Sequence, residues 1–208
     1  MHQHRTLCRA LVRPLLIAFL LAGTLATSPP PASAAGTFYV STQGNDGNPG
    51  TQSQPWRTIQ HAVNSAGAGS TIIVADGHYD ERPTIGTQAT EASPLVIRAE
   101  NSQQASCNGF TFSGARHVTV DGFDIQSLDA NELRGSGVHV TGGTSSSTLQ
   151  NCYIHDTAWY GVNVGTGTSN VTVRNNRIYR AYMAGIIVWG SGHLVEGNEI
   201  WGTVNYSP

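Results

Sequence analysis

The chain has 208 residues and carries 11 arginines, no lysine and 13 acidic residues, for a formal net charge of −2. This balance argues against a nucleic-acid-binding protein, because phosphate contacts require a broad basic surface. No run of about 18 apolar residues occurs, which excludes a multispan membrane protein. An apolar content of 39% is enough for a folded core.

Residues 1–34 have the organisation of a secretory signal peptide. Three arginines near the N-terminus precede an apolar stretch from Leu15 to Ala26, and small residues follow at positions 32–34. The apolar stretch is too short for a stable membrane anchor, which needs about 20 residues. We therefore expect cleavage after Ala34, secretion to the extracellular space, and a mature chain that is not bound to the membrane.

Residues 35–115 predict an N-terminal cap followed by the first coil or coils of a β structure. Phe38–Thr42 reads as a short strand, and Thr71–Val74 reads as another. Between them, Arg57–Ala66 is the one plausible helix, with its apolar residues on a single face. A short amphipathic helix at this point would cover exposed strand edges at the start of the structure.

Residues 116–208 contain an internal repeat. Four segments share an aliphatic residue that is followed five places later by isoleucine: Val120–Ile125, Leu149–Ile154, Val173–Ile178 and Val195–Ile200. The isoleucines are 29, 24 and 22 residues apart. In three repeats a glycine and an aliphatic residue come next, at Gly137, Gly161 and Gly185. Five extra residues between Ile125 and Gly137 explain the longer first repeat.

Repeats of this length predict a parallel β-helix. A unit of 22 to 24 residues with three short strands cannot bury its apolar face alone. Stacked coils can do so, because their strands pair in parallel about 4.8 Å apart. The aliphatic residues of the repeat then point inward.

The positions of the asparagines and cysteines in the repeat predict their roles. Asn176 and Asn198 are equivalent, and we expect such amides to hydrogen-bond the backbone at a bend between strands. Cys107 and Cys152 are about two coils apart, roughly 9.6 Å at the usual strand spacing. That separation is beyond disulfide reach, so we expect two unpaired, partly buried thiols.

The N-terminal sequence resembles a known family. Phe38–Glu81 reads FYVSTQGNDGNPGTQSQPWRTIQHAVNSAGAGSTIIVADGHYDE. This is similar to the opening of secreted bacterial right-handed parallel β-helix proteins of the pectate-lyase-like superfamily. The resemblance implies an all-β fold, a right-handed solenoid of 22–24-residue coils with a short N-terminal capping helix. It also implies the activities of that superfamily, which include pectate, alginate and chondroitin lyases and uronate epimerases.

The C-terminal end lacks anything that resembles a cap. The fourth repeat begins at His193 and the chain stops at Pro208. Enzymes of this superfamily generally have more coils, so we expect the chain to be an N-terminal fragment. The alternative is a short protein whose open coil is covered by oligomerisation.

Outward-facing columns supply candidate substrate-binding residues. One column contains Gln126, His155, Tyr179 and Trp201. The column beside it contains Ser127, Asp156, Arg180 and Gly202. Aromatic rings stack on sugar CH surfaces and arginine pairs with carboxylates, so His155, Tyr179 and Trp201, with Arg134 from the insertion, suit an acidic polysaccharide. The alternative is a solvated aromatic ladder that stiffens the sheet.

Two further outward columns are polar. They contain Asp121, Gln150, Arg174 and Glu196, and Asp124, Tyr153, Arg177 and Glu199. We expect ion pairs between Arg174 and Glu196 and between Arg177 and Glu199, each contributing at most about 1 kcal/mol. Their predicted role is in solubility and strand register.

A lyase needs a base for the proton next to the uronate carboxylate and a cation to neutralise that carboxylate. The resemblance implies lysine or arginine as the base and Ca²⁺ held by acidic residues. Lysine is absent, so Arg180 beside Asp156 is the predicted catalytic pair. Four acidic residues around the insertion could bind Ca²⁺ through oxygen ligands: Asp121, Asp124, Asp129 and Glu132.

These observations favour a secreted protein that acts on an extracellular, acidic polysaccharide by lyase-type β-elimination. The alternative is a non-catalytic carbohydrate-binding or surface-adhesion β-helix. Hydrolysis is less favoured, because Asp156 has no acidic neighbour in its predicted column.

Overall fold

The computed structural model describes residues 35–128 and 135–203. Strand β1 (Thr37–Val40) and helix α1 (Ile59–Ser65) come first. The first three coils then contain β2 (Thr71–Val74), β3 (Gly77–Tyr79) and β4 (Thr84–Ile85); β5 (Leu95–Ala99), β6 (Ala105–Cys107) and β7 (Phe110–Ser113); and β8 (Val118–Asp121), β9 (Asp124–Ser127) and β10 (Val138–Thr141).

The later coils contain β11 (Thr148–Gln150), β12 (Tyr153–Thr157) and β13 (Tyr160–Val164); β14 (Thr172–Arg174), β15 (Arg177–Ala181) and β16 (Ala184–Val188); and β17 (Leu194–Glu196) and β18 (Glu199–Trp201). All of these strands pair in parallel with the strands of neighbouring coils. The first sheet has seven strands and contains β1, β2, β5, β8, β11, β14 and β17. The second sheet is β3, β6, β9, β12, β15 and β18, and the third is β4, β7, β10, β13 and β16. The predicted parallel β-helix is confirmed.

Two carboxylates hold the start of α1 in the N-terminal cap, one at the residue before the helix and one at its first two backbone N–H groups. Asp46 accepts hydrogen bonds from the backbone N–H and the hydroxyl of Thr58. Glu81 accepts from the first two helical residues at 2.7 and 2.9 Å. The buried Trp56 stacks on the ring of Phe38, with centroids 4.8 Å apart. Residues of the family-like N-terminal sequence therefore build the cap, which confirms the predicted helix.

Two inward columns form the core, although their last members, Val195 and Ile200, are 45% and 46% exposed. One contains Ile72, Ile97, Val120, Leu149, Val173 and Val195. The other contains Tyr79, Cys107, Ile125, Ile154, Ile178 and Ile200. The repeat therefore extends two coils further towards the N-terminus than its Ile-based pattern indicates, because Tyr79 and Cys107 take the isoleucine position.

The glycine of the repeat is required by close packing between coils. A Cβ added to Gly161 would lie 2.5 Å from the side chain of Ile178 and 2.5 Å from the carbonyl oxygen of Gly185. Gly137 and Gly185 meet Ile154 and Ile200 in the same way. Each glycine thus leaves room for the isoleucine of the following coil, which explains why both occur in one repeat.

Asparagines stabilise the bend between the first and second sheets, as predicted. Asn151 and Asn175 adopt left-handed backbone conformations, with φ of 57° and 54°. One residue later, the fully buried Asn176 accepts from the N–H of Cys152 at 3.0 Å and donates to the carbonyl of Leu149 at 3.1 Å. The amide therefore joins two successive coils.

The two described cysteines, Cys107 and Cys152, are unpaired, as expected from their separation by two coils. Both side chains are buried completely rather than partly. Burial raises the pKa of each thiol to about 12. Within the described residues, no helix is long and apolar enough to cross a membrane.

Candidate functional site

The outward surface of the second sheet brings together most of the predicted binding residues. Its register places His155 beside Tyr179 and Tyr179 beside Trp201, as predicted. The outward column of Asp124, Tyr153, Arg177 and Glu199 also has the predicted register. We call six outward residues of β12, β15 and β18 the arginine–aromatic face: Tyr153, His155, Arg177, Tyr179, Glu199 and Trp201.

Rings stack along this face. The ring of Tyr153 lies parallel to that of His155, with centroids 4.6 Å apart. Tyr179 and Trp201 stack at 5.4 Å. The rings are partly exposed, and Trp201 is 36% exposed. These stacked faces offer the apolar surface that sugar rings need.

Two arginines lie over the rings. The guanidinium carbon of Arg177 is 5.3 Å from the ring centroid of Tyr153 and 5.4 Å from that of Trp201. Arg180 lies 5.3 Å from the ring centroid of Tyr179. All three arginine–ring contacts are within cation–π range. The face therefore combines apolar rings with fixed positive charges.

His155 connects two carboxylates across neighbouring coils. Its Nε2 lies 2.9 Å from Asp124 Oδ1, and its Nδ1 lies 2.7 Å from Asp156 Oδ2. Asp156 also forms an ion pair with Arg180. The four residues form one polar chain that runs from β9 through β12 to β15.

The charges in this chain shift the pKa values of its members. The hydrogen bond to Asp124 raises the pKa of His155, although burial acts in the opposite direction. Burial would raise the pKa of Asp156, but hydrogen bonds from His155 and Arg180 lower it overall. The contact with Asp156 raises the pKa of Arg180. This direction is the opposite of what a base requires, so the catalytic assignment of Arg180 and Asp156 stays a prediction.

One predicted column needs correction. Ser127 pairs with Thr157, because the register shifts between His155 and Thr157. Asp156 is the extra residue of a β-bulge, and it has a φ of 50°. Arg180, at the equivalent position of the next coil, has a φ of 51°. A constant spacing from coil to coil could not predict this inserted residue.

The predicted ion pairs differ in outcome. Arg177 Nε lies 3.8 Å from Glu199 Oε2, so this pair is present. Arg174 lies beside Glu196 in the sheet, but its guanidinium donates instead to Gln150 Oε1, at 2.9 and 2.7 Å. The predicted Arg174–Glu196 pair is therefore wrong, because the neighbouring amide offers two short hydrogen bonds.

The described members of the predicted calcium site are already engaged. Asp121 accepts hydrogen bonds from Gln150 and Asn151, and Asp124 accepts one from His155. The part of the chain that the structure describes contains no group of three residues suited to hold a metal ion. The described residues alone do not fit a calcium site. Asp129, Glu132 and Arg134 lie outside the described residues, so their predicted roles stay predictions.

Sequence reasoning missed two features of the site. Asp124 was considered as a metal ligand, whereas the structure places it against His155. Arg82 was not considered at all. It donates to the carbonyl oxygen of Asn108 at 2.9 Å and to that of Ser136, and so fixes the chain beside the insertion. Neither contact has a sequence signal, because both join residues from different coils.

A parallel β-helix with an N-terminal helical cap is the architecture of pectate-lyase-like β-helix proteins. More particularly, residues 38–188 match the family described as Pel9A-like, right handed beta helix region. The chain belongs to this family. Its solenoid is therefore right-handed, as the resemblance of the N-terminal sequence implied.

Two curated relatives share part of this sequence. The uncharacterized protein YwoF of Bacillus subtilis (strain 168) is 28% identical over 131 residues, which are 56% of this chain and 28% of that protein. The pectate lyase PEL9 of Emericella nidulans is 38% identical over 88 residues, which are 40% of this chain and 21% of that protein. The matched regions are thus about a quarter of each relative's length.

Solved structures show the same fold. A rhamnogalacturonan lyase superimposes with a TM-score of 0.65 at 18% identity, covering 80% of this chain and 52% of that one. The pectate lyase Pel9A superimposes with a TM-score of 0.64 at 21% identity, covering 82% and 47%. The chain spans about half the length of these structures.

Proposed function

We propose that the protein is a polysaccharide lyase that binds an acidic polysaccharide on the arginine–aromatic face and cleaves it by β-elimination. The observation that carries this proposal is the row of stacked rings crossed by the guanidinium groups of Arg177 and Arg180. Rings bind the CH surfaces of sugars, and guanidinium groups bind carboxylates. The names of the relatives, pectate lyase and rhamnogalacturonan lyase, point to the same class of substrate.

The chemistry of β-elimination fits a positively charged surface. A base removes the proton on the carbon next to the uronate carboxylate, and the electron pair forms a carbon–carbon double bond. The glycosidic carbon–oxygen bond breaks, and the leaving oxygen takes up a proton. Negative charge develops on the carboxylate during proton removal, and a fixed guanidinium stabilises that charge.

Arg180 is suited to this stabilising role. Its ion pair with Asp156 keeps it protonated and fixes its side chain, which is 53% exposed. It also retains a left-handed backbone that costs a non-glycine residue about 1 kcal/mol. Backbone strain of this kind often occurs at functional sites, which supports a role for Arg180 in binding or catalysis.

Product formation tests the proposal directly. The full chain is incubated with polygalacturonate, and the unsaturated product is followed by its ultraviolet absorbance. We expect Arg180→Ala to lower the rate by roughly tenfold or more, the effect of losing one hydrogen bond to a charged group. Arg174→Ala removes an exposed arginine from the first sheet of the same coil and should leave the rate unchanged. Equal rates in the wild type and Arg180→Ala would contradict the predicted site.

A non-catalytic carbohydrate-binding β-helix is the second candidate. The raised pKa of Arg180 favours it, because a permanently charged guanidinium binds anions but does not remove protons. Binding of polygalacturonate without unsaturated product would support this candidate, and absence of binding would overturn both. Either activity concerns an extracellular polymer, in agreement with the leader predicted for residues 1–34.

A further inference from the structure

The two arginines of the site are equally exposed but differently paired. The side chain of Arg177 is 52% exposed and that of Arg180 is 53% exposed. Asp156 binds the Nη2 end of the Arg180 guanidinium. Among the described residues, the one carboxylate near Arg177 is Glu199, whose oxygen lies 3.8 Å from Nε. The Nη groups of Arg177 therefore keep donors for a ligand.

The rings hold the guanidinium of Arg177 in place. Tyr153 belongs to the preceding coil and Trp201 to the following coil, and their ring centroids lie 5.3 and 5.4 Å from the guanidinium carbon. Both contacts place the guanidinium carbon over the face of a ring, within cation–π range. A side chain that is already ordered loses less entropy when it binds.

We infer that Arg177 is the residue that selects a saccharide with a free carboxylate over its neutral ester. A carboxylate accepts two parallel hydrogen bonds from a guanidinium edge, and a methyl ester has no negative charge to pair with it. This inference rests on the proposed function and narrows its substrate to a polyuronate with unesterified carboxylates. Arg180, occupied by Asp156, contributes less to that selection.

The neighbouring charges support this assignment. Glu199 is 73% exposed and is only loosely paired with Arg177, so it can move aside without leaving a buried charge. Asp156 is 17% exposed and also holds His155, so its release from Arg180 would disturb a connected set of contacts. An incoming carboxylate therefore displaces less at Arg177 than at Arg180.

The test compares two ligands and five proteins, the wild type and four variants. Isothermal titration measures the affinity of the full chain for oligogalacturonate and for its methyl ester. The wild type should prefer the acid by roughly tenfold or more. Arg177→Ala should bring the acid-to-ester ratio close to one. Arg177→Lys, which keeps the charge but loses the planar two-donor edge, should retain part of the preference.

Matched controls separate selection from structural damage. Arg174→Ala, on the first sheet, should keep the acid-to-ester ratio. Arg180→Ala, whose guanidinium is held by Asp156, should lower the ratio less than Arg177→Ala does. A general loss of structure would lower the affinities for the acid and for the ester by the same factor, so the acid-to-ester ratio would not change. A wild type that binds both ligands equally, or an Arg177→Ala variant that keeps the preference, overturns the inference alone. A wild type that binds neither ligand overturns the proposed function together with the inference.

Discussion

The outward surfaces of the first and second sheets are built by the same coils but differ in what their side chains can bind. On the first sheet, Asp121, Gln150 and Arg174 hydrogen-bond to one another from coil to coil. On the second sheet, Arg177 lies between two rings and has its nearest carboxylate at 3.8 Å. One core thus supports a surface whose polar groups bind each other and a surface whose donors remain accessible.

This difference shows where a solenoid can place function. On both sheets, each outward residue lies beside the equivalent residue of the next coil. The backbone geometry therefore does not explain why the two outward surfaces differ. The identity of the side chains explains the difference. On the first sheet, the amide of Gln150 donates to the carboxylate of Asp121 and accepts from the guanidinium of Arg174. The equivalent position on the second sheet carries Tyr153, which presents a ring face to the guanidinium of Arg177 instead of an amide oxygen.

The largest expected effect comes from a substitution at the bend between the first and second sheets. Asn176→Ala removes a buried amide that bonds the N–H of Cys152 and the carbonyl of Leu149. These groups would be left unsatisfied, so we expect the free energy of unfolding to fall by about 2–4 kcal/mol. Urea denaturation measures it. Asn175→Ala, one residue earlier and exposed, is the control and should lower the free energy of unfolding by less. An equal decrease for the two variants would contradict the role of Asn176.

A smaller effect should appear on the second sheet alone. Tyr179→Ala removes the ring between Arg180 and Trp201, and we expect the affinity for oligogalacturonate to fall by about 0.5–1.5 kcal/mol. Thr172→Ala on β14 changes the first sheet of the same coil and should leave the affinity unchanged. If Tyr179→Ala and the wild type bind oligogalacturonate with equal affinity, the second sheet does not differ from the first in ligand binding.

The smallest effect concerns pH. The folded pKa of His155 lies above its ordinary value of 6.5, mainly because of Asp124. Its stabilising contribution is therefore complete below about pH 6.5 and is lost as the pH rises through the folded value. The stability difference between the wild type and His155→Asn should shrink over that range, as measured by urea denaturation at several pH values. For Gln150→Ala, on the first sheet, the difference should stay constant from about pH 6 to 9.

The sequence predicted the coils from Val118 onward because Val120–Ile125 and its three equivalents share one spacing. The first coil or coils were predicted within residues 35–115, but their number and register were not, since Tyr79 and Cys107 hold the inward position that isoleucine holds later. These residues fill the same space but break the pattern. Recognition of Phe38–Glu81 compensated for part of this loss, because that sequence encodes the cap.

The candidate site was predicted less completely than the fold. His155, Tyr179 and Trp201 were placed correctly in one column, since a regular register is enough for that. The contact of His155 with Asp124 was not foreseen, because it crosses between columns. The bulge at Asp156 was also missed, since one added residue changes the local register without changing the repeat as a whole.

The two buried cysteines have a practical consequence. Cys107 lies in the second coil and Cys152 at a bend of the fourth, and a pKa of about 12 leaves almost no reactive thiolate at neutral pH. An alkylating reagent can modify them only when the strands around them separate. The speed of alkylation at each cysteine, read by peptide mass spectrometry, therefore times the opening of two different coils. The two cysteines are therefore built-in probes of local unfolding at two positions of the solenoid.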